Sequence, residues 1–204
     1  MSIERGHNWG ARQPVPNDLV IVADSAAAVE LIAECRRTGR PLPPIGLLAG
    51  DLVRTFGGPS VPDLSAASEA VNVTVDLGVA LCDGRLHFFL DHVVARRSWL
   101  RGRLVAVANA AFLGKWNLAP RAHPGDGKLD VLETHDMSLR DRWNARHRLP
   151  TGSHLPHPAI RQRQIRAEQF TFSPELHVWI DGQRVPSTRH LSVRVEADAV
   201  SLWF

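Results

Sequence analysis

The stretch Asn109–Leu132, NAAFLGKWNLAPRAHPGDGKLDVL, gathers the residues best suited to hold a ligand. Gly114, Pro120, Pro124, Gly125 and Gly127 break it into tight turns between the apolar runs Leu104–Val107 and Leu129–Leu132. Two short strands joined by an ordered polar loop follow from that pattern. Its glycines bare backbone N–H groups and let a ligand come close, because they carry no Cβ. Lys115 adds a cation and Trp116 a broad apolar face, a pair suited to an anionic or amphipathic ligand, although a Trp in a β domain more often packs in the core. Seven arginines between Arg140 and Arg166 could attract phosphates, anionic lipid headgroups or nucleic acid. The plainer alternative is a solvated helix face and an outward strand face. No aromatic platform interleaves with them, so nucleic acid is not an expected partner. His147, His154 and His157 invite a zinc site, but no carboxylate or cysteine stands at short spacing. Ser25 and Ser153 lack a nucleophile-elbow context, and Cys35 and Cys82 stand singly as buried free thiols.

The elements that must position these residues change character along the chain. Residues 1–17, rich in Gly, Pro and Arg, read as a loosely packed N-terminal arm. From 18 to 66 the pattern is strand, helix, strand, helix. LVIVA is a continuous apolar run of the parallel-strand type. Ser25 is placed to cap a helix starting at Ala26, with Val29, Ile32 and Ala33 as its apolar stripe and Gly39 as its stop. IGLLA is a second buried strand, and Asp51 is placed to cap the short helix LVRTF. This is one right-handed β-α-β unit with a trailing helix. From 67 to 204 the pattern turns to antiparallel β, with turns at Asp83-Gly84, Asp181-Gly182 and Ala197-Asp198. MSLRDRWNARHRL reads as a basic helix with Leu139 and Trp143 toward the core. The fold class is therefore α+β: a small truncated α/β lobe ahead of a larger antiparallel, sandwich-like domain. No apolar run spans a bilayer and no secretory h-region precedes Leu19, so a cytoplasmic protein is expected.

Several segments together resemble a known family. NAAFLGKWNLAPRAHPGDGKLDV resembles the "N…GGG…P.A..DDG.LDV" signature of diacylglycerol kinases and related bacterial lipid kinases, which share their fold with NAD kinases. LLAGDLVRTFGGP resembles the family's "PLGTGNDLAR.LGIP" run, LPTGSHLPHPAI its "G.H…P.V" segment, and VWIDGQRV its "V.IDGE" turn. The resemblance runs from Asp18 to the C-terminus and implies an NAD kinase-like fold. It also implies a ligand-binding set of Asn109, Lys115, Asp126, Gly127, Asp181 and Gln183. Asp126 and Asp130, flanking Gly127, would be where a carboxylate holds a structural Mg2+ in some relatives. The alternative makes Asp126 an Asx-type turn and leaves Asp130 facing solvent.

The departures fall on the nucleotide side. The family holds ATP with a GGDGT loop between a strand and a helix, whose glycines let backbone N–H groups cradle phosphates. Here that turn reads Ala23-Asp24-Ser25-Ala26-Ala27, with no glycine. Asp24 is its only acid, and its alternative role is to complement the helix dipole. Leu47-Leu48 replaces the family's Gly-Thr, Gly50 its Asn, and Asp51 alone remains of that group. Gln183 replaces a glutamate, and an amide cannot accept a proton as a general base does. The two leading β-α units expected of the nucleotide lobe are not seen before Leu19. No catalytic set is intact, with Asp24 and Asp51 the remaining candidates. The expectation is a lipid kinase-like pseudokinase, binding a lipid, nucleotide or protein partner, as a homo-oligomer and with peripheral membrane contact. No cofactor is firmly implied; ATP and Mg2+ enter only if the chain is instead a divergent active lipid kinase.

Overall fold

Alternating Val, Leu and Phe positions make β-structure of most of the chain beyond Glu69. The computed structural model describes residues 10–135 and 137–204. Strands β1 (Ala11–Pro14) and β2 (Val20–Val22) precede helix α1 (Ser25–Thr38), strand β3 (Ile45–Leu47) and the short helix α2 (Asp51–Thr55). Next come β4 (Glu69–Cys82), β5 (Arg85–Phe89), β6 (His92–Arg96), β7 (Leu104–Ala108), β8 (Phe112–Leu113) and β9 (Trp116–Asn117). The chain continues through β10 (Leu129–Thr134), helix α3 (Leu139–Arg148), a 3-10 turn, β11 (Ile160–Ile165), β12 (Ala167–Ile180) and β13 (Gln183–Trp203).

Eleven of these strands join one sheet, in the order β1-β4-β13-β12-β6-β7-β10-β11. Strand β5 adds to β4, and β3 adds to β13 with β2 beyond it. The β2–β3 and β3–β13 pairs are parallel, and the other pairs of this sheet are antiparallel. Strands β8 and β9 form a separate ribbon. The α+β class and the β-α-β unit expected from the sequence are both present, and the unit is hydrogen-bonded to the end of β13 through Ile45 and Leu202.

The long strands β4 and β13 each serve two cores. Around their junction with β5 and β12, Ala80, Phe89, Val107, Phe172, Val178 and Leu191 pack together. Toward the other ends, Val73, Val75 and Leu202 pack with Ile32, Ile45 and Leu52 of the α/β unit. The two regions part where the β4–β13 register shifts, between Glu196 and Val200. A bulge strengthens local twist and bends the strand, so one sheet wraps two cores. Gly78 lies near this change, and a Cβ there would collide with the Phe89 ring. Its missing side chain lets that ring lie on the strand.

Several local expectations are corrected. Of the arm, residues 1–9 lie outside the described residues, while Ala11–Pro14 is a strand paired with β4. The cap of α1 is Asp24, not Ser25. Asp51 is the first residue of α2, whose cap is Gly50. Ala197-Asp198 is a bulge inside β13, not a turn between strands. In α3, Leu139 and Trp143 are 51% and 56% exposed, whereas Arg142 is 5% exposed. The Arg142 guanidinium donates to the carbonyls of Gly102, His135 and Met137. Satisfying those carbonyls turns this face of the helix inward, and periodicity alone does not reveal it.

Candidate functional site

The site forms where the starts of α1 and α2 meet the β5–β6 link, the β12–β13 turn and the loop after β7. Asp181 and Gly182 make that turn with φ of 44° and 80°, the left-handed region a two-residue hairpin requires. The Asp181 carboxylate accepts three backbone N–H groups, from Leu90 at 2.8 Å, Asp91 at 2.9 Å and His92 at 2.8 Å. The Asp181 N–H donates in turn to the His92 carbonyl at 3.0 Å. The turn is thereby clamped to the β5–β6 link.

That clamp sets Asp91 inside the protein, where its carboxylate accepts the Ser25 hydroxyl at 3.0 Å. Its carbonyl accepts the N–H groups of Asn109 and Ala110. Asp51 accepts the Gly114 N–H at 2.8 Å, which fastens the β8–β9 ribbon to α2. Burial pushes Asp51 above its ordinary range. Burial raises Asp181 to about 6 against its three N–H donors, and the nearby Asp51 charge adds to the rise. Asp91 is driven well above the usual carboxylate range, first by burial and then by the charge of Asp181, with the Ser25 hydrogen bond opposing. Three N–H donors favour the anion at Asp181, so of the two Asp91 is the more strongly raised, although the Leu52 N–H also opposes the rise there. Beside them, burial lowers His92 to about 4, leaving a neutral ring bonded to the Ala110 carbonyl.

A second knot holds the Gly-rich loop. Asn109 is buried and donates from Nδ2 to the carbonyls of Asp76 and Leu90, both at 2.9 Å, while its Oδ1 has no partner. Asp76 accepts the Gly127 N–H at 2.7 Å and the Asp198 N–H at 2.9 Å. Burial raises its carboxyl also. Asp126 accepts the Lys128 N–H at 2.9 Å, an Asx-type turn. Asp130 does not face solvent: it is buried, and Gln162 and Gln164 donate to it at 3.5 and 3.2 Å.

The structure thus links Asn109 and Asp181 through the β5–β6 segment, sets Asp51 close enough for its charge to act on Asp181, and brings Gly127 to the neighbouring knot at Asp76. Lys115 sits at the tip of the β8–β9 ribbon, beside Gly114. Asp24, Asp126, Asp130 and Gln183 stand apart from this carboxylate group. Asp24 accepts the Ala27 N–H at 3.0 Å as the cap of its own helix. Gln183 is exposed at the start of β13. Sequence reasoning passed over Asp91, His92 and Asp76. Their signal was a polar residue inside an apolar strand run, FFLDHVV and VTVDLGV, where a buried acid needs a specific partner.

Neither implied group fits. A phosphate at the start of α1 would meet an amide already satisfied by Asp24 and that residue's negative charge, and Ser25 is turned inward. At Asp126 and Asp130 the carboxylates face amide donors from Gln164, which oppose a cation. Burial also biases Asp130 toward its neutral form. Among the described residues no three His, Cys, Asp or Glu side chains gather to hold a metal.

Residues 83–203 match the YegS C-terminal NAD kinase beta sandwich-like domain. Three solved structures from Bacillus anthracis str. Sterne share the fold, each at 14% identity over 92% of this chain. Two are described as candidate diacylglycerol kinases, with TM-scores of 0.64 and 0.63 over 78% of their length. The third, described as a diacylglycerol kinase, gives 0.59 over 76%. No curated protein matches the sequence significantly.

Proposed function

This chain belongs to the family of the YegS C-terminal NAD kinase beta sandwich-like domain, and on that premise we propose that it is a lipid kinase-like protein without ATP-dependent phosphotransfer. Residues 18–66 are then the remnant of a nucleotide lobe, and 67–204 the retained domain, serving as a ligand-binding or assembly module. The observation that carries this reading is the start of α1. Its cap is a carboxylate, and no glycine lies in the turn to let a triphosphate approach. At the β12–β13 turn, Asp181 spends its oxygens on three backbone N–H groups, which supports a structural clamp more than a free base.

Thermal denaturation with ATP and Mg2+, with ADP, and with a short-chain diacylglycerol tests it. A binder at a hundredfold excess over its Kd gains about 2.7 kcal/mol. No nucleotide-dependent rise and no turnover are expected. A rise with ATP, together with turnover lost in Asp51→Asn, sinks the proposal. One observation favours a second reading, a divergent active lipid kinase using ATP and Mg2+: Asp181 near 6 lies close to the value that suits a general base. The same assays decide between them.

A cytoplasmic location belongs to the proposal. No helix among the described residues is long and apolar enough to cross a membrane. Assembly with a second copy would use the sheet's end strands β1, exposed throughout, and β11, whose outer edges carry no further strand among the described residues and can pair. Native mass spectrometry finding only monomer removes that part.

A further inference from the structure

Beside the Asp181 turn, between β6 and the β8–β9 ribbon, lies an open cavity of about 330 Å³. Three tryptophans, Trp99, Trp116 and Trp179, wall it together with Val94 and Leu113. Its polar lining is cationic or neutral: Arg96, Lys115 and the neutral His92, with no carboxylate side chain on the wall. Arg96 is held between two rings, its guanidinium 3.9 Å from the Trp179 centroid and 4.5 Å from that of Trp99. Its Nε is buried and has no hydrogen-bond partner. Arg96 is partly buried, and no carboxylate among the described residues pairs with it, so an anion placed there would gain a charge-assisted hydrogen bond. Two further arginines lean on the same walls, Arg146 over Trp116 and Arg184 over Trp179.

A second apolar cavity lies behind the same tryptophans. Trp99 and Trp116 meet edge to face at 5.0 Å, and both also line a smaller cavity of about 70 Å³ beneath α3. That cavity is walled by Leu104, Leu118, Leu132 and Leu149. One end of the feature thus offers unneutralised positive charge, and the other offers aromatic and aliphatic surface. The ribbon carrying Lys115 is fixed, since Gly114 is bonded to both Asp51 and Arg54.

We propose that this cavity binds a single-chain amphiphile with an anionic headgroup, the anion on Arg96 and Lys115 and the chain along the tryptophans toward α3. The idea deepens the reading of residues 67–204 as a ligand-binding module but does not depend on whether phosphotransfer is lost, so failure of either leaves the other testable. The headgroup chemistry is that of a phosphomonoester, which a lipid or free phosphate supplies.

The probes are monododecyl phosphate, inorganic phosphate and the neutral dodecyl maltoside, titrated below micelle concentrations against the whole protein with tryptophan fluorescence and calorimetry. Saturable binding of dodecyl phosphate is expected, with inorganic phosphate weaker and the maltoside weaker still. Arg96→Met keeps an apolar stem between the rings and removes the charge; it should weaken dodecyl phosphate about ten-fold or more, with the circular dichroism unchanged. Lys115→Met, at an exposed ribbon tip, supplies the same readout should Arg96→Met not fold. Equal binding of the neutral amphiphile overturns the proposal, as does inorganic phosphate binding as tightly as the amphiphile. Undiminished binding in the folded variants does so too.

Discussion

Replacing Asp91 with Asn removes a carboxyl whose ionisation the fold resists, while an amide oxygen remains to accept the Ser25 hydroxyl. Asp91 and Asp181 both hold their protons more tightly folded than unfolded. For an acid raised in this way, the stability it contributes is complete below the unfolded value, about 3.9. It is lost as pH rises through the folded value, which for Asp181 is about 6. Each such group removes at most about 1.4 kcal/mol per pH unit within its window. The Asp181 displacement of about two units corresponds to about 3 kcal/mol by neutral pH. His92 acts in the opposite sense: its folded value of about 4 lies below that of the unfolded chain, so it adds stability as pH rises toward 6.5. The absolute pH profile is a sum, and the difference between two proteins isolates one member. Urea denaturation of the wild type and Asp91→Asn between about pH 4 and pH 8 is the assay. The variant should be more stable at neutral pH, with a pH slope that differs from the wild type by up to about 1.4 kcal/mol per unit. An unchanged slope with a less stable variant at neutral pH would falsify the reasoning, because Asp91 would then be held as an anion.

Three further substitutions test the neighbouring structure. Asp24→Ala should cost about 1 kcal/mol in urea denaturation, the loss of a helix cap, with dodecyl phosphate affinity unchanged. Gly78→Ala should lower the urea midpoint, with a loss of stability of about 1–3 kcal/mol, since its methyl group would run into the Phe89 ring. A wild-type midpoint there would mean that ring can move aside. Trp143→Ser should change stability by no more than about 0.5 kcal/mol, as befits an exposed side chain. A loss of several kcal/mol would restore it to the core.

Much of the architecture was legible because it rests on local chemistry. The change from the continuous apolar runs LVIVA and IGL to alternation beyond Glu69 marked the passage from parallel to antiparallel strands, but only IGL is buried: Val20 and Ile21 are each 37% exposed, because β2 lies outside β3 at the end of the sheet. Asp83-Gly84 and Asp181-Gly182 announced their turns because these pairs tolerate positive φ. Asp126 closing an Asx-type turn was equally readable, since the hydrogen bond spans two residues. The inner stripe of α3 was not readable: the carbonyls that draw Arg142 inward belong to the flanking chain and to the loop at Gly102, forty residues away.

The carboxylate group shows the same division. The sequence by itself determined the glycine-free turn at Asp24, the lone Asp51 and the Asp181-Gly182 hairpin, because each depends on residues adjacent in the chain. Only the tertiary structure decided that Asp181 grips the β5–β6 link some ninety residues away and that Asp91 is buried against Ser25. It alone placed Arg96, with no counter-ion among the described residues, between Trp99 and Trp179. The physical reason is that burial and charge proximity, which set proton affinity and the need for a counter-ion, belong to positions in space. The chain order fixes which groups exist, and the packed sheet fixes which of them lose water together.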